Sequence, residues 1–346
     1  MDKKETKMFY EIGQQPKVLK ELEGANKAVL NEIKDEVKKR GIKSFTMVAR
    51  GSSDNACAYF KYIAEIYCGI PVTLAACGVY TMYDGALDLK DTLVIGVSQS
   101  GRAEDVMEVM RRAQKSGSLT VAITNELDSP MAKLADKHFY LNAEKEQSVA
   151  ATKTFTAQLY ALLLIAYYVS GNKKLSEALK KIPEGVAKVI EGADEISKTA
   201  EKLKDTKDAF VLARGINYAA CLESTLKMQE TTYIKAKGYP SSDFQHGPFA
   251  MLDENATVLL LIPQGESFKD MSEMLEKVNA TGAKTIVYTD TDLKGTLSTV
   301  KIPSGSDIET PFYNVVTTQL LVNNLSVIKG NNPDAPRGLK KVTITK

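Results

Sequence analysis

The chain has 346 residues, with 45 Lys plus Arg against 43 Asp plus Glu and a formal net charge of +2. That length exceeds what one growing core accommodates and predicts two domains, while the balanced charge, without a long single-sign run, argues against nucleic acid as a partner. Four cysteines (Cys57, Cys68, Cys77, Cys221) and two histidines show neither a Cys-x-x-Cys pair nor metal-ligand spacing, so no metal or other cofactor is expected, and reduced thiols suit a cytoplasmic protein.

In chain order, the charged start MDKKETK has no apolar signal core behind it. Residues 1–34 are expected to form an N-terminal helical segment. SFTMVARGSSDNACAYFKYIAE, 44–65, then reads as strand, Ala-Arg-Gly turn and helix. Tyr59, Tyr62 and Tyr67 fall at helical spacing and read as partial core. LVIGV is a short continuous apolar strand, EDVMEVMRRAQKSG has helical period ending at a glycine, and TVAIT is the next strand. His138, in ADKHFYL at a strand start, reads as structural. The run LYALLLIAYYV is about half of the roughly 20 residues a membrane span needs, so it is expected as a buried helix.

The pattern then repeats. DAFVLARGINYAACLESTLKMQE, 208–230, echoes the first strand, turn and helix, and ATVLLLIPQGESFKDMSEMLEKVNATGAKTIVYTD echoes DTLVIGVSQSGRAEDVMEVMRRAQKSGSLTVAITN. Gly51 returns as Gly215 and Gly117 as Gly282, so the register holds to within one residue. A duplicated domain explains this, with boundaries at 35–172 and 206–330, a helical connector at 173–205 and a C-terminal tail at 331–346. Apolar strands alternating with helices predict an α/β fold: two tandem three-layer αβα domains, each a doubly wound, flavodoxin-like parallel sheet. Ligands of such sheets bind beyond the carboxyl ends of the strands.

The turns leaving the strands are therefore informative. Ser98-Gln99-Ser100-Gly101 precedes a helix expected to open at about Arg102, and Gly51-Ser52-Ser53 precedes another. Unpaired N–H groups and hydroxyls at a helix N-terminus suit a phosphate; ordinary N-capping by Ser100 is the competing reading. The second repeat lacks these serines and reads IPQGES. Its first helix instead carries Glu223, Lys227 and Glu230 at i, i+4 and i+7. Such a triplet is usually a solvated face, but Leu222, Leu226 and Met228 beside it leave little of this helix free for water. A partly buried Lys and Glu pair then becomes a candidate for proton transfer.

VSQSG, EQSVAATKTFTAQL, LESTLKMQE, QHGP and the tail PRGLKK occur in the order of one family. From MFYEIGQQP to DAPRGLKKVT the chain resembles a tandem sugar isomerase (SIS) domain protein. It is similar to the isomerase half of glucosamine-6-phosphate synthase and to amino-sugar-phosphate deaminases and fructosamine-phosphate deglycases. The resemblance implies that Ser98, Gln99, Ser100 and Ser53, with Ser52 beside it, hold a sugar phosphate, and that backbone at Val149 and Ala150 lines the sugar. It implies Glu230 as the base moving a proton between C1 and C2 and His246, reaching in from the neighbouring subunit, as the ring-opening group. Lys227 would lie near the sugar hydroxyls, Glu223 would position it or touch substrate, and Lys341 would form an imine with the open-chain ketose.

Three positions depart from the synthase pattern: Arg102 and Ala103 replace Glu-Thr after SQSG, and Ala151 replaces a serine in VASTK. The synthase's glutamine-attacking N-terminal cysteine has no counterpart at Met1-Asp2-Lys3. These features imply a glucosamine-6-phosphate deaminase giving fructose 6-phosphate and ammonia. The alternative is a fructosamine-6-phosphate deglycase, in which Arg102 could face an anionic amino-acid part, on the phosphate or in solvent being its other placements. A non-catalytic sugar-phosphate sensor is the third reading. The expected partners are a sugar 6-phosphate and a second copy in a homodimer, with no membrane.

Overall fold

The computed structural model describes residues 2–341, so the part of the expected tail at 342–346 lies outside the described residues. The chain divides into two compact units. One holds Lys17–Glu146, Lys153–Lys180 and, at the C-terminal end, Lys340 and Lys341; the other holds residues 2–16, Gln147–Thr152 and Lys181–Leu339. The long helix α1 (Lys7–Arg40) contributes residues to both. Among the described residues no helix is long and apolar enough to cross a membrane.

The first unit runs β1 (Ser44–Val48), α2 (Ser52–Tyr67), β2 (Val72–Leu74), α3 (Cys77–Thr81), β3 (Thr92–Val97), α4 (Glu104–Lys115), β4 (Leu119–Thr124), α5 (Pro130–Leu134), β5 (Lys137–Tyr140) and α6 (Lys153–Ser170). Its sheet has the order β2-β1-β3-β4-β5, all parallel. In the central strand every residue of TLVIGV is buried, with Ile95 opposite Met47 on one side and Val121 on the other. Such a strand is covered on both faces, which is why it is continuous rather than alternating in hydrophobicity. Val94, Ala122 and Val48 meet Val106, Met110 and Ala113 of α4 in one core cluster. Helix α6 is buried along Lys153–Ala166 and packs on α2. Tyr59, expected as partial core, is fully buried.

The second unit runs from the C-terminal part of α7 (Lys173–Glu191) through α8 (Ala193–Lys202), β6 (Asp208–Ala213), α9 (Tyr218–Lys227), β7 (Lys235–Pro240), α10 (Ser241–Phe244), β8 (Thr257–Leu261), α11 (Phe268–Ala280), β9 (Lys284–Thr289) and β10 (Ser298–Lys301) to α12 (Thr310–Ile328). Its order, β10-β9-β8-β6-β7, is the same winding read from the other edge. The duplication read in the sequence is thus a duplication of topology, and both sheets have the doubly wound order 2-1-3-4-5. Leu260, opposite Leu212 and Val287, meets Met271, Met274 and Val278 of α11 in its core.

Candidate active site

In the first unit the chain order reverses between β1 and β3, and the loops leaving those two strands flank the crevice where this architecture binds ligands. After β3, Ser98 Oγ accepts a hydrogen bond from Gly101 N–H at 3.1 Å, closing a tight turn. Gly101 has φ +61, and a Cβ there would lie 2.3 Å from Ser129 Oγ, so glycine is required on both counts. Helix α4 opens at Glu104, two residues later than expected, and its N-cap is Ala103 with no side-chain cap. Ser100 therefore does not cap the helix, which corrects that reading. The backbone N–H groups of Gln99 and Ser100 make no hydrogen bond among the described residues, so the turn keeps free donors beside a helix N-terminus.

After β1, the N-cap of α2 is Gly51 at φ +56, also without a side-chain cap. Ser52 starts the helix, and buried Ser53 accepts a hydrogen bond on Oγ from Gln158 Nε2 of α6 at 3.0 Å. That donation fixes Ser53 as an acceptor toward the protein and leaves its own hydrogen to be donated elsewhere. Arg102 is half-exposed, its guanidinium 3.6 Å from the Glu126 carboxylate.

In the second unit, Glu223 and Lys227 are buried on α9, while Leu222 and Leu226, with Tyr218, are the half-exposed residues of that helix. Lys227 Nζ lies 3.4 Å from Glu223 Oε1 and 2.5 Å from Glu230 Oε2. Glu230 does not share the α-helix: α9 ends at Lys227 and Met228–Thr232 forms a π turn that closes at Tyr233 with φ +58. This corrects the expectation of one regular helix through Glu230. The wider turn brings Glu230 to the lysine, and Thr231 and Thr232 hydroxyls donate to the Lys227 and Met228 carbonyls at 2.8 and 2.6 Å. Isolated π turns are frequent at functional positions. Of the three charged groups Glu230 is the one open to solvent, its side chain 22% exposed.

His246 stands exposed in the turn after α10, its N–H on the Asp243 carbonyl, and its imidazole makes no hydrogen bond among the described residues. It does not join the Lys227 cluster of its own chain by a hydrogen bond or ion pair. The Val149 N–H donates to the Asp334 carbonyl at 3.1 Å and the Ala150 carbonyl accepts from Ser148 Oγ at 3.0 Å, so both backbone groups are engaged within the unit. Lys341, in the first unit, pairs with the buried Glu146 at 2.6 Å.

Four residues that sequence reasoning missed support these groups. Glu11 is buried and accepts from the N–H groups of Gln147 and Ser148 and from Ser148 Oγ, pinning the loop that carries Val149. Asp334 accepts from the Lys7 and Met8 N–H groups at the start of α1. Gln158 and Glu146 are the others. Glu11, Gln158 and Glu146 stood inside motifs already singled out; the usable signal was a polar side chain within an otherwise apolar or helix-opening stretch.

Residues 40–168 and 202–329 each match the SIS domain. The chain belongs to the SIS domain family. It is 33% identical over 350 residues to a glutamine–fructose-6-phosphate aminotransferase (isomerizing) of Thermococcus kodakarensis, covering 97% of this chain and 58% of that protein. The chain thus spans well under two thirds of that relative. The C-terminal domain of glucosamine-fructose-6-phosphate aminotransferase from Francisella tularensis superposes with a TM-score of 0.85 at 27% identity, over 96% of this chain and 98% of that one. A glucosamine-6-phosphate deaminase from Thermotoga maritima shares the fold, with a TM-score of 0.78 at 22% identity over 98% of this chain and all of that one. This SIS protein is homologous to the isomerase half of the aminotransferases and is phosphosugar-isomerase-like.

Proposed function

We propose that the chain isomerises an amino-sugar 6-phosphate to its ketose with hydrolytic release of the amine, glucosamine 6-phosphate and water giving fructose 6-phosphate and ammonia. The observation that carries this reading is the Lys227 ammonium held between Glu223 and Glu230, with Glu230 the open member. Aldose–ketose interconversion needs one carboxylate that takes a proton from one carbon and returns it to the next. Lys227 engages Glu230 Oε2 and leaves Oε1 without a partner among the described residues, a fixed carboxylate with one free oxygen. The free N–H donors of Gln99 and Ser100 and the hydroxyl of Ser53 suit a phosphate, whose binding energy serves orientation. His246 supplies an acid and base for ring opening, and Lys341 an amine for an imine. Homology to enzymes named for fructose 6-phosphate supports the substrate class.

Purified protein incubated with glucosamine 6-phosphate is expected to release ammonia, and Glu230→Gln to stop release while keeping phosphate-dependent binding. Ammonia release unchanged in that variant would remove Glu230 from the mechanism. One observation favours a second reading, a fructosamine-6-phosphate deglycase: Arg102 is a half-exposed cation beside the phosphate turn, able to meet an anionic amino-acid part. Release of lysine from fructoselysine 6-phosphate, lowered in Arg102→Ala, would select it over the deaminase.

A further inference from the structure

Imine formation requires a neutral amine, and a lysine ion-paired with a carboxylate carries a proton that has to leave first. Something must therefore accept its proton. Lys341 Nζ lies 2.6 Å from Glu146 Oε2, and the Glu146 side chain is buried while that of Lys341 is 25% exposed. The carboxylate is fixed from its other side. Thr154 N–H donates to Oε1 at 3.2 Å and Thr154 Oγ1 to Oε2 at 2.7 Å, both from the first turn of α6. These donors hold the carboxylate oxygens in place beside Lys341 Nζ, so the acceptor is positioned by the unit rather than borrowed from a mobile surface residue.

We propose that Glu146 is the proton acceptor that prepares Lys341 for imine formation with a 2-keto sugar 6-phosphate, and that it returns the proton to the departing oxygen. This rests on reading Lys341 as the imine-forming residue. The Lys341 ammonium gives one proton to the Glu146 carboxylate. The freed amine forms the C–N bond at C2 while the carbonyl electron pair moves to oxygen, and transfer of a proton from nitrogen to that oxygen gives a carbinolamine. The Glu146 carboxyl then protonates the hydroxyl, water leaves, and nitrogen's lone pair forms the protonated C=N bond. Glu146 ends as it began, and one water is released per imine.

Borohydride reduction with fructose 6-phosphate, followed by peptide mass spectrometry, reads the step directly. Wild type is expected to give a reduced adduct at Lys341, and Glu146→Gln to give it about a hundredfold more slowly at pH 7. Raising the pH should restore the rate in Glu146→Gln, because solvent then removes the proton; a lysine merely misplaced would stay slow. Trapping at the wild-type rate at pH 7, or slow trapping at every pH, overturns the proposal while leaving Lys341 as the imine former. Absence of a wild-type adduct at Lys341 overturns the imine reading and the proposal with it. Where Glu146→Gln does not fold, Glu146→Asp carries the test: its carboxylate is withdrawn by one methylene and trapping should slow at least tenfold, an unchanged rate overturning the proposal.

Discussion

Arg50 Nε lies 2.6 Å from Asp105 Oδ2, and one repeat later Arg214 Nε lies 3.3 Å from Asp270 Oδ2. The pair ties the Ala-Arg-Gly turn after the first strand of each unit to the helix after the third, the two loops that flank the crevice. The copies differ in burial: Asp105 is 2% exposed and Asp270 55%. Asp105 raises the Arg50 pKa through their hydrogen bond.

That difference sets unequal consequences for the same substitution. Arg50→Met strips a buried carboxylate of a charged donor and is expected to cost about 1.5–3 kcal/mol, whereas Arg214→Met should cost about 0–1 kcal/mol. Urea midpoints of the two variants measure this directly, and equal shifts would contradict the burial argument.

Lys227→Met should be worse than either. It leaves Glu223 and Glu230 without their shared cation, Glu223 fully buried, and breaking a buried pair from one side costs about 3–5 kcal/mol. Thermal unfolding checks it. Lys227→Arg, which keeps the charge, should recover part of the stability but little turnover, because a planar guanidinium cannot replace a point cation in this space.

Gln158→Leu removes the donor that orients Ser53 without touching any group exposed to a ligand. Phosphate affinity should fall about three- to tenfold, as for one weakened hydrogen bond to a charged group. Ser98→Ala should fall further, since it also removes the acceptor for Gly101 N–H. Calorimetric titration with inorganic phosphate ranks the two.

If His246 serves the neighbouring copy's site, inactive Glu230→Gln and His246→Ala proteins should complement one another when mixed and reassembled. Half the dimers would be mixed, each with one intact site, giving about a quarter of wild-type activity. No recovery on mixing would place His246 in its own chain's site.

His138 accounts for a pH effect. Burial holds its imidazole below the ordinary value near 6.5, and its Nε2 is 2.8 Å from Thr124 Oγ1. The unfolded chain therefore takes up a proton at higher pH than the folded one, so this residue's stability contribution is present above pH 6.5 and lost as pH falls from there toward the folded pKa. Unfolding midpoints between pH 7.5 and 5.5 should fall more in wild type than in His138→Asn.

Much of the fold was legible because its signals are local. Continuous strands such as LVIGV, helices closed by Gly117 and Gly282, and the shared Ala-Arg-Gly turns suffice to write two copies of one winding. The serine turns were legible for the same reason. Glu230's place was not, since a regular helix and a π turn give the same one-letter text and only the carbonyls of Lys227 and Met228 reveal the difference. Nor were Glu146, Glu11 and Asp334, whose partners lie far along the chain. Spacing in sequence carries no record of such pairings.

Asp334 joins three distant stretches: its carboxylate caps α1 at Lys7 and Met8, and its carbonyl holds the Val149 N–H. During synthesis, the opening turn of α1 and the loop at 147–150 are made long before this acid exists, and both must wait with those groups in water. The second unit can therefore reach its final hydrogen bonding only after residues past 330 have been added, which makes the loop that bears Val149 one of the last parts of the molecule to settle.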